Sequence, residues 1–210
     1  MNLFIQQVRN KPIDSNSFLI YSDINNSCII IDPGTEDCEN LISNVKEKNL
    51  RPEYIFLTHE HFDHIWGVNA LKDTFELKLV CSKICSTKIV DKKKNLSLFY
   101  NQVGFETYSA DIYFEELDYQ INWNEIKIEA LKTPGHSDSS VCFLVGNNLF
   151  TGDTIIKDQK TIVKLPTGNK LKLVQSLSIL NKRFKSLNPT IYPGHGEPFQ
   201  FEQIKNQEFV

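Results

Sequence analysis

The chain has 210 residues, of which 40% are hydrophobic and 23% are charged, and its formal net charge is −3. This length and balance predict a single soluble globular domain over residues 1–210. The small negative charge gives no electrostatic basis for binding nucleic acid or an anionic membrane. We therefore expect no nucleic-acid or membrane partner. We also expect a small-molecule substrate, and a protein that is a monomer or a homodimer.

The N-terminal residues 1–7 do not resemble a signal peptide, because they lack a basic start and contain an apolar stretch of only three residues. No apolar run approaches the roughly 20 residues of a membrane span. We therefore expect a cytoplasmic protein.

The five cysteines are odd in number and form no CxxC pair, which argues against a disulfide framework. Cys28 and Cys142 lie in apolar, strand-like runs and are expected to be small buried residues. Cys81 and Cys85 have the spacing to share one face of a helix, but two thiols alone make a poor metal site.

The first third of the chain is rich in β-prone runs, and a breaker, Asp32-Pro33-Gly34, ends the most apolar of them. Hydrophobic periodicity and turn residues predict strands over 3–8, 17–21, 27–31, 54–57 and 77–80, and helices over 36–49 and 64–72.

Residues 91–119 form a less regular segment that begins with the charge run 91–94 and then mixes aromatic with acidic residues. The lysines of the charge run are expected at a solvated turn. Two interpretations of the aromatics remain open: a small satellite core, or a wall beside a substrate site.

Strands return after residue 122. Residues 125–132 alternate, with Ile126, Ile128 and Ala130 on one face, and 140–145 with 148–150 predict a hairpin that turns at Gly146-Asn147. A helix over 169–187 and a strand over 190–192 follow. The predicted helix carries an apolar stripe of Leu173, Val174, Leu177, Leu180 and Phe184. Two packed sheets with helices outside would accommodate this order.

The chemistry is concentrated in the five histidines of the chain. Three belong to the cluster His59-x-His61-x-Asp63-His64, and each of the others, His136 and His195, follows a glycine. All three positions come directly after a predicted strand. In extended backbone, residues two apart point the same way, so His59 and His61 can hold one ion; a helical turn beginning near Asp63 would direct Asp63 and His64 to a second.

A further carboxylate, Asp153, follows the predicted strand at 149–151. A carboxylate that offers one oxygen to each of two cations can bridge them, and Asp63 and Asp153 would supply negative charge to balance both. Imidazole nitrogens and carboxylate oxygens suit Zn²⁺, and less selectively Fe or Mn.

These motifs resemble those of the metallo-β-lactamase superfamily, and in particular its compact glyoxalase II-like (hydroxyacylglutathione hydrolase-like) branch. The match follows the family's order over nearly the whole chain, beginning with Asp32 in its IDPG turn. The segments that carry it are Thr58-His59-Glu60-His61-Phe62-Asp63-His64, Thr133-Pro134-Gly135-His136-Ser137, Phe150-Thr151-Gly152-Asp153-Thr154 and Pro193-Gly194-His195-Gly196.

The resemblance implies an α/β fold, a four-layer αββα sandwich. It also implies two metal ions: one held by His59, His61 and His136, the other by Asp63, His64 and His195, with Asp153 shared. It further implies that Asp32 steadies a metal ligand from behind, although a turn-forming role explains the same residue.

The sequence departs from glyoxalase II in two respects. The basic residue expected near Ile162 is missing, although Lys157, Lys160 and Lys164 flank the gap, and Lys157 and Lys164 are candidates for substrate binding. The chain also ends before the helical domain that grips glutathione in that enzyme. We therefore expect weak recognition of glutathione.

The resemblance implies hydrolysis of a small ester-like bond, most simply a thioester of the S-lactoylglutathione type, by attack of a metal-bound hydroxide. Asp63 would orient the hydroxide and receive its proton. Three alternatives remain open: a persulfide dioxygenase-like oxidoreductase with a single iron, a lactonase or phosphodiesterase on the same scaffold, and a non-catalytic metal-binding module.

Overall fold

A computed structural model describes residues 2–116 and 118–206 of the chain. The chain divides into two compact units, Met1–Tyr113 and Phe114–Val210. The chain forms two six-stranded sheets, one for each unit. The last strand of the first sheet crosses the boundary between the units. That the chain forms one domain over residues 1–210 stays a prediction.

The sheet of the first unit follows the chain, in the order β1 to β6. The first three strands pair antiparallel, whereas β3, β4 and β5 pair parallel. The last strand, β6, crosses the boundary between the units. The strands are β1 (Leu3–Arg9), β2 (Asn16–Ser22), β3 (Ser27–Ile31), β4 (Arg51–Phe56), β5 (Lys78–Ser82) and β6 (Ile112–Phe114).

The central strand β3 is buried along its whole length, as its unbroken apolar run predicts. Ile30 from this strand joins a hydrophobic core with Leu41 and Val45 of helix α1 (Glu39–Glu47). The helix begins three residues later than predicted because Cys38, the residue before it, has a left-handed φ of 51°. The parallel strands are therefore covered by an amphipathic helix, as parallel strands require.

The predicted helix over 64–72 is two helices, α2 (Phe62–Ile65) and α3 (Val68–Thr74). Gly67 separates them, and its N–H donates to the carbonyl of Pro33 at 2.8 Å. A Cβ on Gly67 would lie 1.9 Å from the Cys38 sulfur, so the close approach of this turn requires glycine. The sequence predicts one helix here, and the contacts of Gly67 with Pro33 and Cys38 divide it into two.

The prediction that Cys81 and Cys85 share a helix face is wrong. Cys81 lies in β5, and Cys85 lies in α4 (Lys83–Lys88), whose first turn is capped by the Ser82 side chain. Serine at the strand end ends β5 and starts the helix between the two thiols. The irregular segment that follows contains α5 (Ser97–Asn101).

The sheet of the second unit has the order β12 to β7, again in sequence. All neighbouring pairs are antiparallel except β10 and β11, which are parallel. The predicted hairpin at Gly146-Asn147 is confirmed. The strands are β7 (Asp118–Trp123), β8 (Ile126–Lys132), β9 (Val141–Val145), β10 (Asn148–Gly152), β11 (Thr190–Pro193) and β12 (Phe199–Gln200).

Sequence patterns missed β7, which begins inside the segment expected to be irregular and ends just after the point where strands were expected to return. It lies at the edge of the sheet, where it pairs with β8 through Ile121 and Ile128. Polar residues are tolerated at a sheet edge, so the strand lacks the apolar run that marks central strands. Ile126, Ile128 and Ala130 of β8 are buried together, as predicted.

The long helix α6 (Lys170–Phe184) buries Leu173, Leu180 and Phe184 of its predicted apolar stripe. Val174 does not belong to the stripe, because its side chain is 49% exposed. A 3₁₀ helix (Phe201–Asn206) follows β12. No helix among residues 2–116 and 118–206 is long and apolar enough to span a membrane.

All five cysteines are free and buried. Burial raises the pKa values of the Cys28, Cys38 and Cys142 thiols to about 12, and raises the pKa of Cys85 well above its usual range. Because the thiolate is the reactive form, we expect fewer than one equivalent of thiol to react with Ellman's reagent in the native protein. In denaturant all five should react. Rapid native reaction of one equivalent or more would contradict this.

Candidate metal centre

The topology of the first unit brings Asp32 and the histidine cluster to the same end of the sheet, at the carboxyl ends of its parallel strands. Strands β3 and β4 run parallel, so the residues after them meet at the same end. Asp32 follows β3 directly, and its N–H donates to the carbonyl of Phe56, the last residue of β4. Asp32 has a left-handed φ of 51°, a conformation that Asp adopts more readily than most residues.

The cluster changes conformation in its middle, as its spacing predicts. His61 is extended, with φ −62° and ψ 140°, and helix α2 begins at the next residue. The helical turn carries Asp63 and His64. The ring centroid of His59 lies 4.6 Å from that of His61 and 4.4 Å from that of His64. The fold therefore gathers three imidazoles that are all buried.

Asp32 accepts three hydrogen bonds behind these imidazoles. Its Oδ1 accepts from the backbone N–H of Thr58 at 2.8 Å, and its Oδ2 accepts from the Thr58 hydroxyl at 2.6 Å. The same Oδ2 lies 3.0 Å from Nδ1 of His64. Asp32 is only 1% exposed, so these contacts compensate a buried carboxylate.

This network fixes the tautomers of two histidines. The Thr58 hydroxyl gives its proton to Asp32, so it accepts from the Nδ1–H of His59, 3.0 Å away. His64 likewise donates from Nδ1 to Asp32. In both rings Nε2 is then the nitrogen with a lone pair for a ligand.

Asp32, His59 and His64 place ligand-type atoms within 4.8 Å of one another. This grouping is a hydrogen-bond network and not a metal site of its own, since the Asp32 oxygens are already occupied by three donors. The predicted role of Asp32, to steady a ligand from behind, remains our interpretation of the residue.

The turn that carries Asp63 is held closely against the neighbouring loop. The Ser15 hydroxyl donates to the Asp63 carbonyl at 2.6 Å, and a Cβ on Gly34 would lie only 1.8 Å from that carbonyl oxygen. The Asp63 side chain is partly exposed, and its Oδ2 lies 3.6 Å from Nε2 of His64. The backbone of Asp63 is therefore fixed while its carboxylate remains accessible.

The second unit gathers the remaining candidate residues by the same principle. Strands β10 and β11 run parallel, so Asp153 after the one and His195 after the other lie at the same edge. His136 lies in the connection from β8 to β9, which opens at that edge because β8 runs in the same direction as β10. Oδ2 of Asp153 lies 3.5 Å from Nε2 of His136 and 3.5 Å from Nε2 of His195.

The ring of His136 is oriented by a loop carbonyl. Its Nδ1 lies 2.8 Å from the carbonyl oxygen of Ile162, to which it donates, so Nε2 is again the ligand nitrogen. The preceding residue, Gly135, packs so closely that a Cβ would lie 2.5 Å from Cα of Leu173. Glycine before His136 therefore lets the loop approach helix α6.

The comparisons with known proteins identify the family. Residues 10–195 match the model of the metallo-β-lactamase superfamily. The chain belongs to this superfamily. A probable metallo-hydrolase of Methanocaldococcus jannaschii is 32% identical over 87% of this chain and 88% of its own. The probable metallo-hydrolase YqgX of Bacillus subtilis is 30% identical over 79% of this chain and 78% of its own.

Solved structures of the superfamily agree with this assignment. The BLEG-1 B3 metallo-β-lactamase is 27% identical and superposes with a TM-score of 0.88 over 97% of both chains. TTHA1623, solved in a di-iron-bound form, is 25% identical, with a TM-score of 0.77 over 99% of this chain and 100% of its own. The predicted fold class, an α/β fold of the metallo-β-lactamase type, is confirmed.

Membership of the metallo-β-lactamase superfamily implies bound metal ions, and the described residues fit them. Each of His59, His64 and His136 has Nδ1 hydrogen-bonded to an oxygen, as metal-ligating histidines commonly have. The imidazole and carboxylate donors suit Zn²⁺, and also Fe or Mn. The chain therefore has a metal-binding His/Asp set.

The candidate substrate lysines belong to the second unit. Nζ of Lys157 lies 6.0 Å from the ring centroid of Phe199, and Lys164 is exposed. Ile162, where glyoxalase II-like proteins have a basic residue, has a side chain that is 58% exposed.

Sequence reasoning assigned no role to Thr58, Glu60 or Lys88. Lys88 donates from Nζ to Oε1 of Glu60 at 2.7 Å, and both residues are buried. Glu60 lies between His59 and His61 and follows a strand whose last residues are buried. That position is the signal that its carboxylate is buried and needs a cation. Nothing local marks Lys88 as that cation.

We expect Thr58→Val to weaken metal binding about tenfold, the lower end of the effect of residues that orient ligands. Valine keeps the shape of threonine but removes the hydroxyl between His59 Nδ1 and Asp32 Oδ2. Thr58→Ser, which retains the hydroxyl, is the matched control. Competition with a chelator measures the affinity. Equal affinities in the valine and serine variants would show that the relay does not orient His59.

Proposed function

We propose that the protein is a dinuclear metal-dependent hydrolase of a small thioester of the S-lactoylglutathione type. His59, His61 and His136 would hold one metal ion, Asp63, His64 and His195 the other, and Asp153 both. The observation that carries the proposal is the position of Asp153 Oδ2, 3.5 Å from the ligand nitrogens of two histidines. We infer two Zn²⁺ ions, with Fe or Mn as the alternatives; TTHA1623 was solved in a di-iron-bound form.

The bound metals would supply an activated water and polarise the acyl carbonyl. The protein's own contribution is to position the reacting groups and to handle the proton. Asp63 has a fixed backbone and an accessible carboxylate, so it would orient the attacking water and accept its proton. Asp32 would hold the rings of His59 and His64 in one orientation, so that no reorganisation is needed on reaction.

The choice of a thioester draws on one group of relatives. Hydroxyacylglutathione hydrolase 1 of Vibrio vulnificus is 31% identical over 68% of this chain, a match that spans 48% of its own length. We propose that the substrate is a free small molecule, that the protein is cytoplasmic, and that it is a monomer or homodimer. Lys157 and Lys164 would assist in binding the substrate.

A single-iron oxidoreductase of the persulfide dioxygenase type is the alternative. ETHE1 from Myxococcus xanthus superposes with a TM-score of 0.76 but is 22% identical, which establishes a common fold alone. Metal content separates the two hypotheses, because the dinuclear proposal requires two equivalents of metal per chain.

The decisive test is a panel of thioesters, lactones and phosphodiesters assayed against Zn-, Mn- and Fe-loaded protein. We expect thioesters to have the highest kcat/KM and the active protein to contain two metal equivalents. Preferential hydrolysis of lactones or phosphodiesters would redirect the proposal to that substrate class. Sulfur oxidation with one iron equivalent would replace it.

We expect S-lactoylglutathione to be hydrolysed with a high KM, because Ile162 supplies no charge for a glutathione carboxylate. Ile162→Lys should lower this KM about tenfold, the value of one charge-assisted hydrogen bond of roughly 1.5 kcal/mol. Ile179→Lys adds the same charge to an exposed position of α6 and is the control. Steady-state kinetics would contradict the expectation by giving a micromolar KM for the unsubstituted protein. A rise of that KM in Lys164→Ala would then assign the missing charge to Lys164.

A further inference from the structure

Four aromatic side chains of the first unit form a continuous aromatic cluster, composed of Phe62, Trp66, Tyr100 and Phe105. Phe62 stacks on Tyr100 with ring centroids 4.6 Å apart, and Trp66 stacks on Phe105 at 5.4 Å. Edge contacts of 5.8 Å and 5.7 Å join Trp66 to Phe62 and to Tyr100. The aromatics of the irregular segment thus belong with residues of the histidine motif.

The aromatic cluster begins directly at the candidate metal ligands. Phe62 is the first residue of α2, between His61 and Asp63 in the chain. Phe62 and Trp66 are only partly buried, and Tyr100 is 41% exposed. Phe105 packs against the hydrophobic core of the unit, whereas Tyr100 leaves an aromatic surface open to solvent. Phe62 connects this surface along the chain to His61 and Asp63.

The segment that presents Tyr100 is held rigidly from behind. Buried Asn95 donates to the carbonyls of Ile89 and Phe105, and its own Oδ1 accepts from the N–H of Ser97. The Ser97 hydroxyl accepts from the N–H of Phe105 at 2.9 Å. This buried polar network fixes both ends of the turn that carries the ring, so the aromatic surface is preorganised.

We propose that the aromatic cluster is the subsite for the apolar acyl group of the substrate. The inference rests on the proposed function, in which the acyl carbonyl must lie at the metal ligands for attack. The acyl group then extends from the ligands, and we assign to it the ring of Phe62, which stands between His61 and Asp63 in the chain. Tyr100 continues that surface outward and accommodates the chain of a medium-length or aromatic acyl group.

The subsite predicts a dependence on acyl length. Each added methylene should tighten binding about twofold, since an open surface buries a methylene only in part. The dependence should end once the chain outgrows the stacked pair of Phe62 and Tyr100. Lengthening the thiol portion at constant acyl length should change affinity little.

The test uses ketone analogues in which a methylene replaces the thioester sulfur, so that binding is measured without hydrolysis. The chain has two tryptophans, Trp66 and Trp123, and Trp123 is buried in the other unit, so fluorescence of Trp66 reports on the subsite. Trp66→Phe verifies the reporter. One series lengthens the acyl side from two to eight carbons, and the other lengthens the thiol side.

We expect the acyl-length dependence in the native sequence and in Phe99→Ala, whose exposed side chain is outside the aromatic cluster, and its loss in Tyr100→Ala. An affinity that is independent of acyl length, that follows the thiol side alone, or that is unchanged by Tyr100→Ala would overturn the subsite. Length-dependent binding without hydrolysis of the matching thioesters would retain the subsite as an acyl-binding surface and reject the proposed reaction.

Discussion

Asp153→Asn is expected to leave the fold intact and to abolish turnover. The substitution removes one negative charge from an oxygen pair that we assign to both metal ions, so both sites weaken together. Residues that merely orient ligands cost about tenfold to a hundredfold in metal affinity or activity, and loss of a shared ligand should exceed a hundredfold. Oδ2 lies 3.5 Å from Nε2 of His136 and 3.5 Å from Nε2 of His195. An amide nitrogen in its place would have no lone pair to offer a metal ion beside either histidine.

Asp158→Asn is the matched control for this experiment. Asp158 is an exposed residue with a left-handed φ of 56°, which asparagine adopts without strain. The Asp158→Asn variant loses the same negative charge five residues after Asp153, and it should retain its activity and its bound metal. Metal content by elemental analysis and kcat for the best thioester are the two measurements. A near-normal kcat in Asp153→Asn would show that Asp153 does not bridge.

Lys88→Met is expected to reduce the free energy of unfolding by about 3–5 kcal/mol, the usual cost of removing one partner of a buried ion pair. Methionine fills the space of the lysine stem but leaves the Glu60 carboxylate buried without this ammonium group. Glu60 is 1% exposed and lies between His59 and His61. The uncompensated charge therefore destabilises the loop that carries both histidines. Urea unfolding of the metal-free protein measures the loss.

The double variant Glu60→Gln/Lys88→Met separates the charge from the packing. Because neither residue of the pair then carries a charge, the double variant should recover most of the stability lost in the single variant. Lys93→Met, at an exposed position, should change stability by less than about 0.5 kcal/mol. If Lys88→Met were no more destabilising than Lys93→Met, the ion pair would not support the loop.

The location of the candidate site was predictable because it depends on local rules. Strand ends, glycines before histidines and the spacing of the cluster place His59, His136, Asp153 and His195 after β-strands. The conformational change between His61 and Asp63 also followed from spacing alone. Where chemistry constrains neighbouring residues, the sequence carries the constraint.

Features that depend on distant contacts were not predictable. Lys88 reaches Glu60 across 28 positions, and nothing in either local pattern pairs them. The division of α2 from α3 depends on the contacts of Gly67 with Cys38 and Pro33, and the edge strand β7 lacks an apolar run. In each case a tertiary neighbour overrides or replaces the local signal.

The burial of all five cysteines makes the unmodified chain a convenient background for site-specific labelling. A cysteine introduced at an exposed position such as Lys164 would carry the accessible thiol, so a maleimide fluorophore or spin label would attach there without removal of native residues. Because the native thiols pack in apolar surroundings, replacing them for such work would create cavities, and the labelled protein would no longer have its native core. Spectroscopy on the loop beside His136 can therefore begin from a single substitution.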